Sequence, residues 1–290
     1  MQWLEKLNDS LDYLEKNLEG TPDLAEAAKI ACCSPYHYQR MFSYLAGVPL
    51  SEYLRRRRMT RAAFDLQNGG KVLDVALKYG YESPTAFNRA FQSVHGVAPS
   101  AAQHEGANLK SFQRISFIIS IKGETEMEYR IVTKEGFRVV GLSEPIGSEA
   151  EESFKIVPML WGKAAMDGTV ARLAQMMDGG PADSGPMGIL GISACMPGEN
   201  WHYLIAAATT KAIPEDMPQL VEYQVPACTW AVFPGHGSMP DSIQELEKRV
   251  ISEWLPGSGY EYADAPDMEV YLEPNPADAK FEVWVPVRKK

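Results

Sequence analysis

Tyr38, Met41, Phe42 and Leu45 recur at i, i+3, i+4 and i+7, a spacing that lines one face of a helix with apolar side chains. Forty-nine positions later Phe87, Ala90, Phe91 and Val94 repeat the pattern. The other side of each stretch is polar: Tyr36, Gln39, Arg40 and Ser43 in the first, Thr85, Asn88, Arg89 and Gln92 in the second. Each stretch opens with Ser-Pro, at Ser34-Pro35 and Ser83-Pro84. A serine at the N-cap with proline at the first helical position is a strong helix start. A shorter apolar-periodic run precedes each pair. It is Leu24, Ala27, Ala28 and Ile30 after Thr21-Pro22-Asp23, and Val72, Leu73, Val75, Ala76 and Leu77 after Gly69-Gly70. Short turns, Ala31–Cys33 and Gly80–Glu82, join the runs, and Gly80 suits a turn position of positive φ. Leu54, Met59, Ala62, Ala63 and Leu66 predict one longer connecting helix within Ser51–Gln67.

The period changes after about residue 105. FQRISFIISI is β-branched and reads as a strand, with a turn at Lys122-Gly123-Glu124. Residues 106–126 are therefore expected to form a joint whose hairpin adds to the sheet of a second domain. Beyond it the pairs MEYRIV and FRVVGL, then VEYQVP and CTWAVF, read as strands. VPMLWGKAAMDGTVARLAQMM and SIQELEKRVISEWL read as helices. MGILGIS with WHYLIAAAT, and MEVYLEP with KFEVWVPV, read as closing hairpins. The halves echo each other at a spacing of 94: Glu128-Tyr129 and Glu222-Tyr223, Ile131 and Val225, Gly141 and Gly235. The expected protein is multidomain. An all-α domain of tandem helix-turn-helix units spans 1–105. An α+β domain of two β-β-α-β-β repeats spans 127–290, with a mostly antiparallel sheet and helices on one face.

Charge sharpens this division. The chain has 290 residues and a net charge of −10. Residues 1–114 carry 14 Lys+Arg against 12 Asp+Glu, so the rest carries 14 against 26. The basic excess concentrates at Arg55–Arg58 and Arg61. An arginine run alone fits a solvated helix face; next to two helix-turn-helix units it fits phosphate contacts. No apolar run approaches the roughly 20 residues of a membrane span. The acidic N-terminus has no apolar core of a signal peptide. Cys32, Cys33, Cys195 and Cys228 contain no C-x-x-C pair and read as reduced thiols, which points to the cytoplasm. His37 and His95 read as surface or packing residues, and no metal or cofactor set appears.

A helix, a turn and a second helix with an arginine on its polar side is the layout that enters a major groove. Arginine can bond both acceptors of guanine, and asparagine or glutamine those of adenine. The segments SPYHYQRMF, GVPLSEYLRRRRMTRAAFDL and YGYESPTAFNRAFQSVHGVAPSAAQ make residues 5–104 resemble the AraC family of transcription regulators. That resemblance implies two units reading consecutive major grooves about 34 Å apart. It implies base contacts from Tyr36, Gln39 and Arg40, then Thr85, Asn88 and Arg89. Tyr36 departs from the Trp of some relatives. Arg55 and Arg58 are the expected phosphate ligands.

In FEVWVPV, alternation sends Phe281, Val283 and Val285 to one side and Glu282 and Trp284 to the other. A carboxylate among Val, Trp and Tyr is poorly solvated and attracts a cation. Candidate walls are Trp161, Trp201, Tyr203, Trp230, Tyr271 and Trp284. EYRIV, RVVGL, VEYQVPACTWAVFPGHG and FEVWVPV give Met127–Lys290 a resemblance to the GyrI-like effector-binding domain. That resemblance implies a groove for lipophilic, often cationic molecules between the halves, faced by Glu282. The expected partners are double-stranded DNA and a small effector; RNA polymerase stays open, and no membrane is expected. No catalytic constellation stands out. The competing enzymatic reading is a GyrI-like hydrolase using Glu282 with Tyr203 or Tyr271. A third is an acidic domain that binds another protein.

Overall fold

Two helix starts carry side-chain caps, whereas Ser83 holds its N-cap position without a side-chain bond. In this computed structural model, which describes residues 2–118, 126–146, 150–180, 184–196, 201–273 and 275–290, the chain divides into two compact units, 1–120 and 121–290. The first unit holds α1 (Gln2–Lys16), α2 (Leu24–Ile30), α3 (Pro35–Ala46), α4 (Leu50–Gln67), α5 (Val72–Lys78) and α6 (Pro84–His95). Asp23 caps α2 by accepting from the Ala25 and Glu26 amides, and Ser34 caps α3 by accepting from His37. The helices α3 and α6 stop at Gly47 and Gly96, both of positive φ. The two helix-turn-helix turns close alike. Cys33 N–H donates to Ala28 O and Tyr81 N–H to Ala76 O, each at 3.0 Å. Cys32 (φ 57) thus holds the left-handed place that Gly80 (φ 81) holds in the second turn.

Met59, Ala62, Ala63 and Leu66 of α4 pack with Val75, Ala76, Tyr79, Phe87, Phe91 and Val94 into one core. Tyr38 and Phe42 are fully buried in the first half of the unit. The expected apolar face of α5 is narrower than its sequence suggests. Leu73 and Leu77 are 54% and 57% exposed, because a seven-residue helix makes under two turns and buries only the Val75–Ala76 edge.

The joint departs from expectation. Residues 107–118 form neither helix nor strand; residues 119–125 lie outside the described part. The segment runs along the first unit, and side chains take the place of a sheet ladder in satisfying its backbone. Phe112 N–H donates to Thr60 Oγ1 (3.1 Å) and Phe112 O accepts from Arg57 (2.5 Å). Asn8 bonds both backbone groups of Phe117, at 2.9 and 3.0 Å. The Phe117 ring stands edge-on to Phe42 with centroids 5.7 Å apart.

The second unit holds β1 (Arg130–Lys134), β2 (Phe137–Pro145), α7 (Ala150–Met166), α8 (Thr169–Met176), β3 (Ile189–Cys195), β4 (Trp201–Ala208), β5 (Leu220–Val225), β6 (Cys228–Gly237), α9 (Asp241–Arg249), α10 (Leu255–Gly257), β7 (Tyr260–Tyr262), β8 (Asp267–Glu273) and β9 (Ala279–Lys289). A π turn over Val250–Trp254 joins α9 to α10. The short β7, which pairs the end of β9, is an addition to the two expected repeats; three residues give no readable period. The main sheet order is β1-β6-β9-β8-β3-β4-β2-β5, and every described pairing is antiparallel. Each half lends its first strand to the other: β1 pairs β6, and β5 pairs β2. At the centre β3 meets β8 with Gly191 opposite Glu269. Tyr203 opposes Ser193 on one side and Phe281 opposes Tyr271 on the other, so the halves are related by an approximate two-fold through that pair.

One face of the sheet is a continuous core that includes Leu190, Ile192, Leu204, Ala206, Trp230, Val232, Met268, Val270 and Trp284. By alternation, Gly191, Tyr203, Glu269, Tyr271, Phe281 and Val283 lie on the other face. Trp161 of α7 bonds Tyr203 there, and Leu246 of α9 lies over Gly235 beside the Phe281 ring.

Candidate DNA-reading face and effector site

The helix α6 presents its polar side to solvent while Phe87, Phe91 and Val94 anchor it. Thr85 and Arg89 are exposed and Asn88 is half-buried. The matching face of α3 is different. Tyr36 and Gln39 are only 3% and 5% exposed, so the expectation that both stand on an open face does not hold in this structure. A tyrosine ring carries more apolar area than its position opposite the stripe suggests, and it favours cover. Arg40 is half-buried, its guanidinium 5.7 Å from the centroid of the Tyr44 ring.

The arginine run divides between bracing and exposure. Arg57 forks onto both oxygens of Glu15 at 2.8 Å, and Tyr53 donates to the same carboxylate at 2.6 Å. Burial pushes the Glu15 carboxyl up, but the Arg57 hydrogen bonds and charge, with the Tyr53 bond, outweigh it and leave Glu15 below its ordinary pKa. Arg58 is half-buried and donates to Leu18 O at 3.1 Å, which limits it as a phosphate ligand. Arg55 pairs with Glu52 and reaches Ser93 Oγ of α6 at 3.1 Å. Its side chain is 42% exposed, so it both fixes α6 to α4 and meets solvent. His95 is buried; its Nδ1 accepts from Lys110 N–H at 3.2 Å, which leaves Nε2–H to donate to Met59 O at 3.0 Å. No described group of three His, Cys, Asp or Glu residues can hold a metal.

In the second unit three of the six aromatic candidates, Trp161, Tyr203 and Tyr271, converge on a carboxylate other than the expected one. Tyr203 Oη donates to Glu269 Oε2 at 2.6 Å, and Tyr271 Oη donates to the same oxygen at 2.9 Å. Trp161 Nε1 donates to Tyr203 Oη at 2.9 Å, and its ring meets Tyr271 edge-on at 4.7 Å. Burial first, then the neighbouring Glu269 charge, holds both phenols well above their ordinary pKa. They remain neutral donors to the carboxylate at neutral pH.

Glu282 is not part of this group. It opposes Val270 across β8 and β9, so it points away from Tyr271. Arg130 donates to both its oxygens at 2.8 Å, and Trp284 Nε1 donates at 2.9 Å. Trp284 and Trp230 belong to the core of the opposite face. The pairing that hydrolysis would require, Glu282 with Tyr203 or Tyr271, is therefore not formed. Trp201 is half-buried and, by alternation, shares the Tyr203 face of β4. Glu269 was readable in principle, since MEVYLEP alternates Glu269 and Tyr271 against Met268 and Val270.

Comparison with known proteins agrees with both halves. The GyrI-like small molecule binding domain family matches residues 127–288, and a helix-turn-helix domain family matches residues 27–105. The chain is similar to the HTH-type transcriptional activator AarP of Providencia stuartii, at 37% identity over 95 residues, covering 32% of this chain and 70% of that protein. The multiple antibiotic resistance protein MarA of Escherichia coli (strain K12) is 34% identical over 94 residues, covering 32% and 74%. The structure of SAV2435 bound to tetraphenylphosphonium aligns with 22% identity over 56% of this chain and 94% of that one, at a TM-score of 0.46.

Proposed function

Since this chain belongs to the GyrI-like small molecule binding family and joins that module to an AraC-type DNA-binding domain, it is a DNA-binding transcription regulator, and we propose that its effector is a lipophilic cation held at Glu269. The observation that carries this is the half-buried Glu269 carboxylate with two neutral tyrosine donors on one oxygen and Trp161 against them. A negative charge kept from full hydration, with aromatic faces beside it, favours a large and weakly hydrated cation over a small hydrated one. The DNA is read by Thr85, Asn88 and Arg89 of the open α6 face and by Arg40 of α3. Arg55 contributes a phosphate contact. Tyr36 and Gln39 join the reading only after their face is uncovered.

The protein acts by binding, with no reaction of its own, in the cytoplasm where its DNA lies. AarP, a transcriptional activator, supports activation as the outcome, which makes RNA polymerase the protein that the bound regulator must reach. The effector changes promoter occupancy to the extent that it binds one state of the protein more tightly than another.

Titration of the full chain with tetraphenylphosphonium, followed by tryptophan fluorescence and calorimetry, tests the assignment. Glu269→Gln should weaken binding about tenfold or more. Glu282→Gln should leave the affinity within about threefold, since its charge is already matched by Arg130. Equal loss in both variants, or none in Glu269→Gln, rejects Glu269 as the cation ligand.

A further inference from the structure

Gly191 sits at the centre of the sheet, directly across from Glu269. Its backbone is extended, so its lack of a side chain answers to space and not to φ. A Cβ placed there would lie 2.1 Å from Tyr203 Oη, 2.6 Å from Glu269 Oε2 and 2.9 Å from Tyr203 Cζ. No real Cβ approaches heavy atoms that closely, and all three neighbours are outer side-chain atoms, two of them the hydrogen-bonding pair itself. The clash therefore falls on the donor and acceptor of the site and spares the sheet backbone. The approximate two-fold exchanges positions 191 and 269. One side carries the carboxylate and the other carries nothing, and the empty side is where the carboxylate oxygen and the phenol meet.

We propose that Gly191 is the positioning residue of the effector site: its missing side chain is the space in which Tyr203 Oη and Glu269 Oε2 come together, and so it sets the site's preference for cations. This rests on the assignment of Glu269 as the effector's carboxylate. Any side chain at 191 pushes Tyr203 from Glu269. Tyr203 is 2% exposed and has little room to withdraw, so the Trp161–Tyr203–Glu269 chain of hydrogen bonds breaks as a unit. The carboxylate then turns toward water and loses its hold on a weakly hydrated cation. A neutral aromatic ligand, which uses the rings and not the charge, is affected less.

The test is Gly191→Ala in the full chain, alone and combined with Tyr203→Phe, which removes the nearest of the three atoms that the new methyl strikes. Two ligands are titrated: tetraphenylphosphonium, and the neutral dye Nile red as an uncharged aromatic control. Gly191→Ala should weaken tetraphenylphosphonium about tenfold or more and Nile red less than about threefold. In the Tyr203→Phe background the same change should cost less than it does alone, because the closest contact is gone and the effects of two groups that collide are not additive. A ligand-free readout accompanies these titrations. The Trp161 indole N–H resonance, assigned by its loss in Trp161→Phe, should shift in Gly191→Ala. Wild-type affinity for tetraphenylphosphonium in Gly191→Ala, equal loss for both ligands, or an unmoved indole resonance overturns the inference. Failure of the wild-type chain to bind tetraphenylphosphonium, together with a shifted indole, rejects the cation assignment and the role in preference but leaves the positioning role of Gly191 standing.

Discussion

Arg40 and Arg89 hold matching places in two copies of one motif, but only Arg89 is open to solvent. Arg89→Ala should weaken specific DNA binding by about 1–3 kcal/mol and leave the melting temperature unchanged, because the side chain takes no part in the core. Electrophoretic mobility shift with a selected operator, paired with a melting curve, checks both halves of that statement. His95 carries a different expectation. Burial, the largest effect, lowers its pKa from 6.5; the bond to Met59 O, next in size, opposes it, and the Lys110 charge adds a smaller lowering. The unfolded chain then takes up the proton before the folded one does. Stability should be level above about pH 6.5 and fall as pH drops below it. Protonation also turns Nδ1 into a donor facing the Lys110 amide, and the bond that holds the start of the joint is lost. Urea denaturation between pH 5 and 8 should show this slope in the wild type and lose it in His95→Asn.

Most elements are legible from capping and period. Ser34, Asp23, Pro35 and Pro84 mark helix starts, and the stripes from Tyr38 to Leu45 and from Phe87 to Val94 mark the faces that go inward. The halves of the sheet could be read from turn residues and alternation. Two kinds of information were not local. Alternation fixes which residues share a face of a strand, but not which face meets the helices. Glu282 and Glu269 both alternate with apolar neighbours, and only the pairing of β8 with β3 and β9 assigns Glu269 to the aromatic side. The joint is the second case. FQRISFIISI has strand composition, yet over residues 107–118 its backbone is claimed by Asn8, Tyr53, Arg57 and Thr60, partners 50 or more positions away. Asn8→Ala should cost the first unit about 1–2 kcal/mol through two lost bonds. Hydrogen exchange should rise at the Phe117 amide and not in α6; equal exchange in the variant and the wild type would contradict the hold that Asn8 has on Phe117.

Across the whole molecule, a mildly basic helical unit and a strongly acidic sheet share one chain, so DNA affinity should be steeply salt-dependent while effector affinity is not. Because β1 completes the second half and β5 completes the first, the sheet's topology is that of two halves that exchange their leading strands. A fragment of residues 127–215 keeps β1 but has lost β6, and keeps β2 but has lost β5. Such a fragment should run as a dimer in size-exclusion chromatography, each copy's β1 seeking the other's β2 edge. The effector module is thus indivisible along the chain: a cut between β4 and β5 leaves either piece without the strand that the other supplies.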